Sequence, residues 1–305
     1  MIAGHFFLAF SVVALAAYHF GRDGDEAVKL GLAAALFALI PDIDIIYAFK
    51  EIFAITSGFY GFTDSFWAAS EETHRGLTHS LVILGYAATS FMTYHKTGNR
   101  KLAGVFILSI LGIGYHLEGF ISAAVILAFS LAGFVITEKL RTTINFKEFS
   151  LVALFGLLVH PFGDIFTGVP PDFLYPLSYS IIESRLIILQ DPSLNFLAVF
   201  GIELFMIWAA ILTYAYVEEK HMLDEVSTLS AAGFLYGISS FIVTNPSLSQ
   251  SYRFVFSIVM FSGLITAMIW VFASRRDRKY FFAVIDFYSI MFLGYLSYLI
   301  LFILV

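Results

Sequence analysis

Ten apolar runs, at residues 2–20, 27–48, 81–95, 102–116, 118–137, 149–168, 195–217, 227–245, 253–273 and 281–305, are long enough, or nearly so, to cross a bilayer core. Backbone donors and acceptors in hydrocarbon must be satisfied within the chain. With no alternating strand pattern in sight, the runs can only be helices. The expected fold is therefore all-α, a polytopic membrane helical bundle of about ten transmembrane helices. The stretch 102–137 is too long for one ordinary span and divides at Tyr115-His116-Leu117-Glu118-Gly119. Composition agrees: 13% of residues are charged and mean hydropathy is +0.86, against about a quarter charged in a soluble domain. The 35 phenylalanines read as lipid-facing bulk.

Alternating the runs across a membrane sorts the basic residues. Arg22, Lys29, Lys96, Arg100, Lys101, Lys139, Arg141, Lys147, Lys220, Arg275, Arg276, Arg278 and Lys279 fall on one side, and Lys50, Arg75, Arg185 and Arg253 on the other. The positive-inside rule makes the first side cytoplasmic, with both termini outside. The opening run lacks a basic start and a small-residue cleavage site, so it reads as a retained helix rather than a signal peptide. There are no cysteines, which excludes disulfides, thiolate metal sites and cysteine nucleophiles. A net charge of −6 without a basic run argues against nucleic acid as a partner.

The histidines divide by side. His19, His95 and His221 fall on the cytoplasmic side and read as interfacial polar residues at helix ends. His5, His74, His79, His116 and His160 fall on the other, as do Asp42, Asp44 and Asp164. His116 and Glu118, two apart, cannot share a helix face and read as a polar helix–helix turn.

Four polar sites reach that second side. Gly4-His5 opens the first helix, where the plain alternative is a polar tip among headgroups. Pro41-Asp42-Ile43-Asp44 closes the second run. Acidic groups at membrane depth cost about 2.5–3.5 kcal/mol each and usually have partners, unless the helix simply ends in water. His74-Arg75-Gly76-Leu77-Thr78-His79-Ser80 precedes the third run. His74 and His79 are about 140° apart on a regular helix, so they converge only if His74 lies in the loop and His79 opens the helix. Thr78 is a candidate cap for that helix, and Arg75 is suited to clamp a phosphate or carboxylate. The fourth site, His160-Pro161-Phe162-Gly163-Asp164, puts an imidazole and a carboxylate at i and i+4 on one helix face. They can bind one cation, the aspartate can bridge two, or the pair can be a hydrogen bond inside the bundle. Imidazole plus carboxylate without thiolate suits zinc, manganese or iron.

Gly-His near the start, Leu39-Ile40-Pro41-Asp42-Ile43-Asp44, the His-Arg-Gly-Leu-Thr-His-Ser string and His160-x-x-x-Asp164-x-x-Thr167 resemble the LexA-regulated, inner-membrane-associated family of metal-dependent hydrolases. The segment Gly168-Val169-Pro170-Pro171 through Tyr175-Pro176-Leu177 is similar too. The resemblance covers residues 1–190, a membrane-bound hydrolase core. Residues 191–305 then add transmembrane helices of unknown role. The order of ligands is also similar to that of zinc-dependent phospholipase C and nuclease P1 enzymes. The resemblance implies metal ligands at His5, Asp42 or Asp44, His74 or His79, His160 and Asp164, with Asp164 as the bridge between two ions. After residue 160 only His221 remains, on the wrong side, so a third ion is not expected. Position 45 holds Ile45 where the membrane family often carries histidine.

The expected function is a metal-dependent hydrolase of a phosphoester in a membrane lipid or lipid-linked substrate, with its site on the extracytoplasmic face of the cell membrane. One or two divalent ions, zinc first, would activate water. Asp42 or Asp44 is the expected general base, and Arg75 would steady the phosphate. Two other classes compete: a divalent-cation transporter using the same residues, and a non-catalytic membrane scaffold with a structural metal site.

Overall fold

A computed structural model describes residues 2–45, 48, 51, 65, 69, 76–166, 169–177 and 181–218. The expected helices at 227–245, 253–273 and 281–305 lie outside the described residues, as do His74, Arg75 and His221. Among the described residues there are helices and no strand: α1 (Ile2–His19), α2 (Gly24–Leu39), α3 (Leu81–Thr97), α4 (Arg100–Glu118), α5 (Phe120–Leu140), α6 (Phe146–Asp164) and α7 (Pro192–Glu218). Of these, α4, α5 and α6 are long and apolar enough to cross a membrane, and the apolar parts of α1 and α7 are shorter.

The chain divides into two compact units. One comprises Met1–Ala17 with Glu26–Leu186, the other Tyr18–Asp25 with Ile187–Val305. In the second, Tyr18 meets Tyr216 of α7 edge to face at 5.6 Å. The first carries every described site residue.

Local sequence sets the helix ends. Helix α2 stops at Leu39, well short of the apolar run that ends at residue 48. Pro41 brings no N–H to the helix, and the amides of Ile40 and Ile43 bond three residues back, to Phe37 and Ile40. A 3-10 stretch over residues 41–45 follows and turns both aspartates inward. Helix α3 is capped by Ser80, whose Oγ accepts from the amides of Val82 and Ile83. The expected cap, Thr78, does not serve. It lies in a 3-10 turn over Leu77–His79, and its hydroxyl is used elsewhere. Gly98, in the left-handed region at φ 64°, ends α3, and Gly119, at φ 87°, breaks α4 from α5 at the expected place.

Helix packing relies on small residues, as it must where lipid offers no hydrophobic contrast. A Cβ on Gly156 of α6 would lie 2.4 Å from the Ala34 carbonyl oxygen and 3.2 Å from the Ala38 amide nitrogen. Only glycine lets α6 come this close to α2. The reading of phenylalanine as lipid-facing bulk holds for exposed residues such as Phe20 and Phe120 and is corrected for the core. Phe37, Phe91, Phe129 and Phe149 are fully buried in the core, with Phe37 set edge to face on Phe149 at 5.6 Å. The residues left outward are largely aliphatic, such as Val105, Leu108 and Leu151.

The two ends of the first unit differ. One end, formed by the start of α2, the end of α3, the start of α4, the end of α5 and the start of α6, holds Lys29, Lys96, Arg100, Lys101, Lys139, Arg141 and Lys147. There Glu138 accepts from Tyr94 at 2.8 Å and pairs with Arg141 at 3.3 Å, and Lys29 donates to the Thr143 carbonyl at 3.1 Å. His95 is not the interfacial tip expected. It is buried and stacked on Phe149, ring centroids 4.0 Å apart. The opposite end holds the site.

Candidate metal centre

Four places in the chain bring polar side chains to that opposite end: the first turns of α1, the 3-10 stretch after α2, the turn before α3 and the last turn of α6. They deliver His5, Asp42 and Asp44, Thr78 and His79, and His160 with Asp164, all of them buried. Asp42, His79, His160 and Asp164 each offer a ligand atom within 4.8 Å of the others. His79 Nε2 lies 2.9 Å from His160 Nε2 and 3.1 Å from Asp164 Oδ2. His160 Nε2 is 3.5 Å from Asp164 Oδ2 and 3.5 Å from Asp42 Oδ1. Donors about 2.0–2.1 Å from a tetrahedral ion would stand about 3.3 Å from one another, so this spacing fits one ion.

The far edges of the two imidazoles are held. His160 Nδ1 donates to the Ala38 carbonyl at 2.6 Å. A carbonyl only accepts, so the proton sits on Nδ1 and the lone pair is on Nε2, facing the cluster. The close α2–α6 approach allowed by Gly156 brings that carbonyl within reach. His79 Nδ1 faces Asp44 Oδ2 at 3.3 Å, on the ring edge away from Nε2. Two imidazole nitrogens set 2.9 Å apart are held together by a proton shared between them or by a cation that both bind. A buried carboxylate beside them asks for the same.

His5 Nε2 lies 3.1 Å from Asp164 Oδ1, the oxygen turned away from His79, and the His5 ring rests on that of His160 at 3.9 Å between centroids. A Cβ on Gly163 would lie 2.4 Å from His5 Cε1, so glycine is needed for the ring to fit. Of the expected ligands, then, Asp42, His79, His160 and Asp164 come together. His5 and Asp44 touch that group from outside. His74 and Arg75 lie outside the described residues.

Thr78 is the site residue that sequence reading placed wrongly. Its Oγ1 donates to Asp44 Oδ2 at 2.6 Å and lies 3.1 Å from His79 Nδ1. The signal was the neighbouring Ser80, which satisfies the cap and frees Thr78 for another role. A strap over residues 169–177 fixes the start of α3: Leu81 N–H donates to the Phe173 carbonyl at 2.9 Å and Ser80 Oγ to that of Tyr175 at 2.5 Å. Burial and the nearby Glu118 carboxylate push the Tyr175 phenol up to about 12. Glu118 also accepts from Ser122 at 2.6 Å, in keeping with a polar turn between α4 and α5.

A family model described as YdjM inner membrane protein matches residues 1–244, past residue 190 where the sequence resemblance ends. No curated protein and no solved structure matches the chain.

Proposed function

The chain belongs to the YdjM inner membrane protein family, and on that premise we propose that it is a membrane-embedded metal-dependent hydrolase acting on a phosphoester in a lipid or lipid-linked substrate. The observation that carries the reading is the gathering of Asp42, His79, His160 and Asp164 around one point in a thiol-free apolar bundle. A divalent ion bound there, zinc by choice with manganese or iron compatible, supplies Lewis acidity toward phosphoryl oxygens and acidifies water enough to act near neutral pH.

His79, His160 and Asp164, each fully buried, hold the ion. Asp42, at 7% the most exposed of the four, would then be the residue to accept a proton from water activated at the site. An open fourth position is what distinguishes catalytic from structural zinc sites. Arg75, from its place in the His-Arg-Gly-Leu-Thr-His-Ser string and its forked donors, steadies the phosphate. Support for a lipid substrate comes from the helix ends that carry the centre, the level at which headgroups lie. Support for the extracytoplasmic face comes from the basic residues at the opposite end.

One observation favours a second reading. Four protein donors, none more than 7% exposed, would close the site if Asp42 also binds the ion, and a closed site is structural. A transport site has less support, because it belongs near the bilayer midplane on broken helices.

Asp42→Asn separates the two main readings. Purified protein loaded with zinc is assayed against lipid and soluble phosphoesters. Catalysis predicts that wild type cleaves the lipid phosphoester, and that Asp42→Asn keeps its ion but loses at least about 10²-fold in rate. Loss of the ion in Asp42→Asn, with no hydrolysis by wild type, would establish the structural site instead.

A further inference from the structure

Thr78 and Asp44 form a buried pair that no described backbone role absorbs. Ser80 caps α3, so Thr78 is spare as a helix signal. The Asp44 carboxylate, two residues past Asp42, is not among the four donors that meet. We propose that Thr78 and Asp44 are positioning residues for His79. The Thr78 hydroxyl accepts the His79 Nδ1 proton at 3.1 Å and donates its own to Asp44 Oδ2 at 2.6 Å, while that carboxylate oxygen stands 3.3 Å from Nδ1, so hydroxyl and carboxylate hold the ring edge together. The inference rests on the metal centre proposed above and not on the reaction assigned to it.

The chemistry follows from the two edges of one imidazole. Its nitrogens point to opposite sides of the ring, so a carboxylate on Nδ1 cannot share an ion with Nε2. Asp44 Oδ2 is 3.3 Å from Nδ1, while Nε2 is 3.1 Å from Asp164 and 2.9 Å from His160. With its proton held on Nδ1, His79 presents a lone pair at Nε2, made more basic by the carboxylate behind it. Thr78 Oγ1 stands 2.6 Å from Asp44 Oδ2 and 3.1 Å from Nδ1, close enough to lock both. His160 has a weaker form of the same support, a neutral backbone carbonyl on Nδ1. The two histidines therefore differ in donor strength, with His79 the stronger. This assignment replaces the expectation that Asp44 is a ligand or the general base.

The test uses the full chain in lipid nanodiscs, with Asp44→Asn, Thr78→Val, Thr78→Ser and His79→Ala, each checked for helix content. Metal per chain is measured at saturating zinc, affinity by competition with a chelator, and the ligand field by the visible spectrum of the cobalt-substituted protein. Asp44→Asn and Thr78→Val should keep the wild-type stoichiometry, lose about ten- to a hundredfold in zinc affinity and shift the cobalt bands. Thr78→Ser should restore both affinity and spectrum, and His79→Ala should lose the ion. Asp44→Asn that holds no ion at saturation would make Asp44 a ligand and overturn the proposal. Wild-type affinity and spectrum in Thr78→Val and Asp44→Asn would overturn it as well. Wild-type protein that binds no ion would remove the centre itself, which is a different failure.

Discussion

His160 shows how much one hydrogen bond decides at the residue scale. Its Nδ1 proton is committed to Ala38, so replacement by glutamine, which cannot place a donor and a lone pair on opposite edges of a ring, should cost metal affinity about as much as alanine does. Equal zinc affinity for His160→Gln and wild type, read by chelator competition, would contradict the assigned tautomer. His5→Gln should behave differently. It keeps a donor for Asp164 Oδ1, and the ion should stay at wild-type stoichiometry. The identities of these residues were legible in the sequence, since each interrupts an apolar run. Their division into donors and supports was not. That depends on which ring edge faces which neighbour, and the neighbours of His79 and His160 include groups 81 and 122 residues away. Thr78 was misread because two hydroxyls compete for one cap, and spacing alone favours neither.

The elements place these side chains, and their ends and contacts are the next points of attack. Gly156→Ala would set a methyl 2.4 Å from the Ala34 carbonyl. Backbone cannot step aside as a side-chain tip can, so α2 and α6 should part, at a cost of about 1–3 kcal/mol. The lengthened Ala38–His160 bond should lower zinc affinity in the same variant. A thermal midpoint and affinity both unchanged in Gly156→Ala would contradict the close approach. Ser80→Ala removes the α3 cap and should lower stability by about 0.5–2 kcal/mol without removing the ion, as a melting curve with and without zinc would show. Among the described residues helix existence was readable from apolar run length, and the glycine break between α4 and α5 was readable from its polar neighbours. The end of α2 was readable from Pro41 and the two aspartates that close the run, although apolar length alone runs on to residue 48. The burial of Phe37, Phe91 and Phe149 was hidden. In a membrane chain both the core and the lipid face are apolar, so composition does not tell them apart.

At the largest scale described, Lys29, Lys96, Arg100, Lys101, Lys139, Arg141 and Lys147 lie at one end of the first unit and the candidate metal centre at the other. The native chain has no cysteine, so single cysteines report sidedness cleanly. Leu177→Cys, exposed at the end of the strap that ties down the start of α3, should react with a membrane-impermeant thiol reagent in intact cells. Thr143→Cys, at the basic end, should react only after lysis. The reverse pattern would turn the protein over in the membrane and leave the centre intact. Ion binding should also stabilise the fold, since an ion that binds only the native state adds RT ln(1 + [L]/Kd). Chelation should accordingly lower the thermal midpoint of the wild type and leave that of His79→Ala in place. The most direct measurement is metal content of the purified protein, wild type beside the His79→Ala, Asp164→Ala double variant. One divalent ion per wild-type chain and none in a folded double variant is the predicted result. Wild type without an ion, or a double variant that keeps a stoichiometric one, would contradict the centre.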